Sequence, residues 1–392
     1  MTWKMAFALL LGLTTGYIFL NIPPALDAMM TLYGPSYVKI SLLMSALLWS
    51  HTLMQVPGGM IADRLGIVRT LSIGLLLMGF GNLMAASFPN LALAILGRVV
   101  IGFGTGLNFV TSMKLIALYA PEGRAGSFQA FFAGSFSIGC ILAFLTIPRV
   151  IGFGWQWVHL TPGLTCFPLL AMLLALQLKQ RSPAGPAPLP GLGVVRIKAG
   201  WILGLYQALS YGSMINLGNW LPSLLTEVWT DTTAAQLAWG GALVMTISGL
   251  GRLCGGFILF KISPLKIANG SIAILCLMFV GLFFIPAPVL LLILALSAAW
   301  FASVNFGALF LLASRATSPD SLGTLFGFIN FLANLGAVLF TLLFGFAKDV
   351  AGSLSVGFGI LALLCVGAFL LGGATLDKTL ANRKAPIPNT SA

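Results

Sequence analysis

The chain has 392 residues, of which 59% are hydrophobic and 7% charged, with a formal net charge of +12. A water-soluble domain carries roughly a quarter charged residues, so this composition excludes one. The 20 lysines and arginines punctuate apolar runs instead of gathering in a patch, which argues against a nucleic-acid partner.

Apolar stretches of about 20 residues recur from end to end, each long enough to cross a bilayer as a helix. The short alternating segments of a membrane barrel are not visible. Twelve helical spans are predicted, at 5–26, 38–60, 70–88, 91–114, 126–147, 158–178, 199–222, 235–259, 266–285, 288–313, 323–345 and 354–374. The first has one lysine before it and no small-residue cleavage site, and reads as a membrane helix, not a removable signal.

Span 1 carries Thr14, Thr15, Tyr17 and Asn21 ahead of Pro23-Pro24, with Asp27 following at its outer end. Span 2 places His51 one helical turn before Gln55, on one face. After it the chain reads Gly58-Gly59-Met60-Ile61-Ala62-Asp63-Arg64-Leu65-Gly66, with Arg69 beyond. The glycines would let helix 2 approach a neighbour, and Asp63 could latch one conformation. Span 4 carries Arg98, four residues before a run of glycines at 102, 104 and 106, and Asn108. Span 5 has glycine at 126, 134 and 139, while His159 beside Trp155 and Trp157 reads as an interfacial anchor of span 6.

The Pro- and Gly-rich basic stretch between spans 6 and 7 reads as a linker. It divides the chain into an N-terminal six-helix bundle (1–180), a linker (181–198) and a C-terminal bundle (199–392). Span 7 offers Tyr206, Gln207, Tyr211, Asn216 and Asn219 before Trp220-Leu221-Pro222. Span 8 holds Arg252 near mid-membrane, about 13 Å from Lys261 at 1.5 Å per residue. Asn305 in span 10 and Asn334 in span 11 complete the polar set.

A shift of 197 residues superposes the halves: Gly58-Gly59 falls on Gly255-Gly256, Gly126 on Gly323, Gly139 on Gly336 and Gln55 on Arg252. Two parallel six-helix repeats build one class of transporter, with the solute site between them near the midplane. If both termini are cytoplasmic, 15 basic residues flank the spans on that side (4, 64, 69, 114, 124, 179, 181, 196, 198, 261, 266, 315, 378, 383 and 384). Only 3 (39, 149 and 348) lie opposite. The positive-inside rule therefore puts both termini in the cytoplasm of a bacterial-type inner membrane.

The Gly58–Arg69 loop resembles the signature loop of the major facilitator superfamily, and Arg98–Gly106 resembles its span 4 signature. The resemblance implies an all-α fold of 12 transmembrane helices in two repeats. It also implies alternating access of the rocker-switch kind by a symporter or antiporter. The helix 5 proline pattern of drug antiporters is missing. Arg252-Leu253-Cys254-Gly255-Gly256 resembles the second-half arginine site of the nitrate/nitrite porters, which clamp a planar anion between two arginines. Here Gln55 replaces the first.

The expectation is a secondary transporter of a small anionic solute, with the proton as a candidate coupling ion and a monomeric chain. Substrate contacts are expected from Arg252, Gln55, His51, Tyr17, Asn21, Tyr206, Tyr211, Asn216, Asn108, Asn305 and Asn334. Arg252 could instead pair with helix-end carbonyls or serve gating. Arg98, in coupling with Asp27 or as a structural group, joins Asp63, Arg64, Arg69, Gly58 and Gly59 in conformational control. The alternative is efflux of a lipophilic or zwitterionic compound; a flux-free receptor or lipid-handling protein is a more distant one. The five cysteines lie in apolar runs without metal spacing, so no metal, cofactor or catalytic centre is expected.

Overall fold

The computed structural model describes residues 3–119, 125–176, 195–284, 287–317 and 319–380. Most of the linker and the end of the chain lie outside the described residues. Those described are helical, without strands. The first crossing joins α1 (Trp3–Phe19), a 3-10 turn (Pro23–Ala25) and α2 (Leu26–Tyr33). It runs past the expected end at 26, so Asp27 lies inside the crossing. The second is split into α3 (Tyr37–Leu53) and α4 (Gln55–Leu65). Pro57 cannot donate to the carbonyl four residues back, which places the break at Met54. Then follow α5 (Ile67–Ser87), α6 (Leu91–Tyr119), α7 (Ala125–Val150) and a sixth crossing made of α8 (Trp157–Leu164) and α9 (Cys166–Ala175).

The second half repeats the order: α10 (Lys198–Thr226), α11 (Trp239–Ile258), α12 (Pro264–Phe283), α13 (Pro288–Val304) with α14 (Phe306–Ala316), α15 (Pro319–Ala351) and α16 (Ser355–Leu380). Ten of the described crossings are long and apolar enough to be recognised by length and composition alone. The other two, α3–α4 and α10, are the more polar ones. Ser41, Ser45, Ser50, His51 and Thr52 in α3 are buried, as are Gln207, Ser210, Asn216 and Asn219 in α10. The weakest apolar signals therefore mark the helices that line the interior.

The repeat reappears as equivalent helix crossings. A methyl group on Gly139 of α7 would meet the Tyr17 nitrogen of α1 at 2.8 Å, and one on its partner Gly336 of α15 would meet Ala208 Cβ of α10 at 2.7 Å. Both distances are shorter than side-chain contacts allow, so backbone lies against backbone there. Gly58 and Gly59 differ from expectation. Their nearest neighbours on α6 would stand 3.5 and 3.6 Å from an added methyl, which is ordinary contact. In the second half the close approach belongs to Gly255, against the Val304 backbone, while Gly256 has open space.

The halves meet at one end, where α3 begins and α15 finishes. The Asp349 carboxylate accepts from the Tyr37 and Val38 amides at 2.8 and 2.9 Å and from Ser36 Oγ at 2.7 Å. Asp27 Oδ2 accepts from the Ala235 amide at 3.1 Å. The Tyr37 and Trp220 rings pack 5.9 Å apart, and a methyl on Gly345 would meet Ser41 Cβ at 2.6 Å. This closed end ties the first half to the second through both side chains and backbone.

Candidate solute-binding site

Each half contributes one polar group that its own helices leave accessible or unpaired. On the first-half side His51 is buried. Its Nδ1 lies 3.0 Å from Thr105 Oγ1 and its Nε2 2.8 Å from Gln55 Nε2. Thr105 donates its one hydroxyl proton to the Gly102 carbonyl at 3.0 Å. Its oxygen is then free to accept, so His51 Nδ1 carries the ring proton and Nε2 accepts from the Gln55 amide. The Phe19 and Phe109 rings stand 5.0 and 5.9 Å from the imidazole, and Phe136 and Phe132 extend this aromatic collar at 5.2 and 5.7 Å.

On the second-half side Arg252 is half-buried. Its guanidinium lies 5.1 Å from the centre of the Phe306 ring, and one terminal nitrogen reaches Met214 Sδ at 3.4 Å. Its Nε is buried with no hydrogen-bond partner. Tyr211 of α10 and Cys140 of α7 are its electrostatic neighbours. These two neighbours come from different halves, so Arg252 stands where the halves meet. Among the described residues no carboxylate pairs with it, so most of a planar fork of five N–H donors is left for something else.

The structure divides the expected site residues into two groups. His51, Gln55, Arg252 and Tyr211 make up the candidate site. Most of the others bond a neighbouring helix of their own half. Tyr17 Oη bonds Thr146 of α7 at 2.6 Å, and Asn21 Nδ2 donates to the Val158 carbonyl at 2.8 Å. Tyr206 Oη donates to Asn269 of α12 at 2.8 Å and points at α16, away from the cleft. Asn216 binds the Gly212 and Ala337 carbonyls, and Asn334 the Asn330 carbonyl. Asn108 is directed at α5, where Met78 Sδ lies 3.1 Å away. Asn305 interrupts the tenth crossing and donates to Ser210 of α10 at 2.8 Å. Amides and hydroxyls in hydrocarbon need partners, and neighbouring helices supply most of them, while the Oδ1 atoms of Asn216, Asn305 and Asn334 are buried without one.

Among the described residues no hydrogen bond or ion pair joins Arg98 to Asp27. Arg98 is buried, and it donates to the Ile18 carbonyl at 3.0 Å, Phe19 at 3.5 Å, Leu43 at 3.3 Å and Asn21 Oδ1 at 2.9 Å. Pro23 cannot donate to the Phe19 carbonyl four residues back, and the guanidinium reaches that carbonyl together with those of Ile18 and Leu43. Arg98 thus caps a broken helix. Arg64 and Arg69 are exposed, and the Asp63 side chain lies outside the described residues. Phe19, Phe109, Met214 and Phe306 were not legible beside these residues, since apolar residues in an apolar span carry no distinguishing signal, and nothing in the sequence pairs Thr105 with His51.

Two six-helix repeats packed against each other define a transporter fold. A model described as the Major Facilitator Superfamily matches residues 6–341, and the chain belongs to that superfamily. It is 27% identical over 370 residues, 92% of each chain, to the 2-nitroimidazole transporter of Escherichia coli strain K12. It is 24% identical over 366 residues to the nitrite extrusion protein of Bacillus subtilis strain 168, covering 92% of this chain and 91% of that one. A solved bacterial homologue of the human lysosomal transporter Spinster, inward-facing and unoccupied, shares the fold with a TM-score of 0.79. That likeness spans 98% of both chains at 14% identity. The superfamily and these relatives are transporters, not enzymes.

Proposed function

We propose that this transporter carries a small anion with a planar pair of oxygens, by alternating access of its two halves. The observation that carries the proposal is Arg252, a half-buried guanidinium in the central cleft without a carboxylate partner. Such a charge is costly within a membrane unless it serves a ligand or a partner. Its fork matches two oxygens on one atom, forming parallel charge-assisted hydrogen bonds. Nitrite, named in one relative, and the nitro group named in the other both present that pair. Gln55, at the repeat position of Arg252, adds an uncharged hydrogen-bonding amide from the opposite half. The bias of basic residues places both termini in the cytoplasm, with the closed end facing outward. One chain holds both halves and works as a monomer.

The aromatic collar around His51 favours a second reading, in which the solute is a neutral aromatic compound and export is its purpose. Thermal stabilisation of the purified protein by nitrite, nitrate, small carboxylates and nitroaromatics, beside Arg252→Ala, separates the two. A ligand at 100 times its dissociation constant stabilises by about 2.7 kcal/mol. An anion that stabilises the native chain and not the variant supports the anion reading. Stabilisation by neutral aromatics alone, equal in both proteins, overturns it.

A further inference from the structure

We propose that His51 is the proton carrier of this transporter and that the Gln55 amide transmits its protonation to the solute. The proposal rests on the anion reading above and goes beyond it by assigning the coupling ion, its residue and the transmitting group. The heavy atoms of the chain Gly102–Thr105–His51–Gln55 are compatible with two proton states. In the neutral state, Nδ1–H donates to Thr105 and Nε2 accepts from the Gln55 NH2 group. This turns the Gln55 carbonyl oxygen away from the ring, towards the half-exposed side of the residue. An anion there meets a lone pair.

Protonation adds N–H at Nε2, which cannot face an NH2 group. Half a turn of the Gln55 amide restores the bond, with Oε1 now accepting from Nε2–H. The NH2 group then points where the carbonyl did. One proton therefore exchanges an acceptor for a donor at the cleft and adds a positive charge behind it. Thr105 needs no change, because His51 Nδ1 is a donor in both states. Among the described residues, the hydrogen-bond and ring partners of the imidazole are Thr105, Gln55, Phe19 and Phe109, none of them titratable.

The charged and titratable groups of the surrounding elements have other tasks or stand farther off. On α1, Tyr17 is bonded to Thr146, and on α6, Arg98 is held by the carbonyls of α1 and α3. Cys140 on α7 and Tyr211 on α10 stand around Arg252 of α11. At the far end of α3, Lys39 is bonded to the Tyr33 carbonyl, while on α15 Asp349 caps the first turn of α3 and Lys348 pairs with Glu227. Lys114 of α6 reaches the Ala62 carbonyl, and Arg64 lies exposed near the end of α4. A proton arriving in the cleft thus finds a neutral imidazole whose only titratable position, Nε2, is held by a movable amide. Linkage makes the coupling reciprocal: protonation tightens the anion, and the anion draws in the proton.

Nitrite, which stays anionic between pH 5.5 and 8, is the probe for the test. Its binding to the detergent-purified full chain is measured by calorimetry over that range, in two buffers of different ionisation enthalpy. Uptake of a proton on binding, with affinity rising by up to about tenfold per pH unit on acidification, is expected of the native protein. His51→Gln should bind nitrite without that uptake or slope. Nitrite binding with no proton uptake in the native protein, or an unchanged slope in His51→Gln, overturns the carrier role and leaves the anion reading standing. Absence of binding by nitrite, nitrate and small carboxylates overturns both. Absence of proton uptake in the native protein overturns the carrier role whether or not the variant folds.

Discussion

Asp349, at the end of α15, caps the first turn of α3 in the opposite half, with its carboxylate 2.8 Å from the Tyr37 amide. The Val38 amide and Ser36 hydroxyl share the same carboxylate. A negative group at a helix N-terminus satisfies donors that the helix cannot and meets the positive end of its dipole. Because the two partners belong to different halves, this cap exists only while the closed end is closed.

Asp349→Ala should therefore loosen that end without unfolding either half. Loss of a helix cap costs about 1 kcal/mol, enough to change the balance of closed and open states about fivefold. The check is alkylation of a single cysteine placed at Ser41, which is buried beneath the closure. Labelling several-fold faster in Asp349→Ala is expected, and equal rates would show that the cap does not bear on closure.

Arg98→Met should lower the melting temperature severely, since three helix carbonyls and Asn21 lose a donor. Each buried group left unpaired costs about 1–3 kcal/mol. Arg98→Lys should rescue little of this, because one ammonium cannot spread over α1 and α3 as the planar fork does. Asp27→Asn should leave melting within about 0.5 kcal/mol, as expected of a site remote from Arg98. Equal losses from Arg98→Met and Asp27→Asn would restore the pairing expected from the sequence.

Substitution by alanine should be tolerated at Gly59, where an added methyl stands 3.6 Å from Val110. Gly139→Leu and Gly336→Leu should each destabilise by about 1–3 kcal/mol or more, through forced separation of α7 from α1 and of α15 from α10. Thermal unfolding in detergent distinguishes these glycines. A loss at Gly59 as large as at Gly139 would mean that α4 packs more tightly in another state.

Arg252→Lys should weaken anion binding about tenfold or more while keeping the positive charge, because a single ammonium replaces a fork of parallel donors. Direct binding of nitrite and nitrate measures the difference. Undiminished affinity in the lysine variant would show that charge alone recruits the solute.

The central pair of His51 and Gln55 was legible in the sequence by its one-turn spacing, and Arg252 by its depth in an apolar span. Their partners were not. Thr105 lies 54 residues from His51 in the chain, and nothing local announces that the two meet. Asn108, Tyr206 and Asn216 look as suitable in the sequence as Gln55, yet each is turned towards a helix of its own half.

The sequence by itself determined the membrane class, the order of the crossings and the twofold repeat. These follow from apolar length and recurring glycines, properties that each segment carries alone. Only the tertiary structure decided that Arg98 caps a broken helix and that Asp349 bridges the halves. It also decided which polar groups reach the cleft. Those outcomes depend on the rotation of each helix about its axis, and that rotation is set by how all the helices pack together.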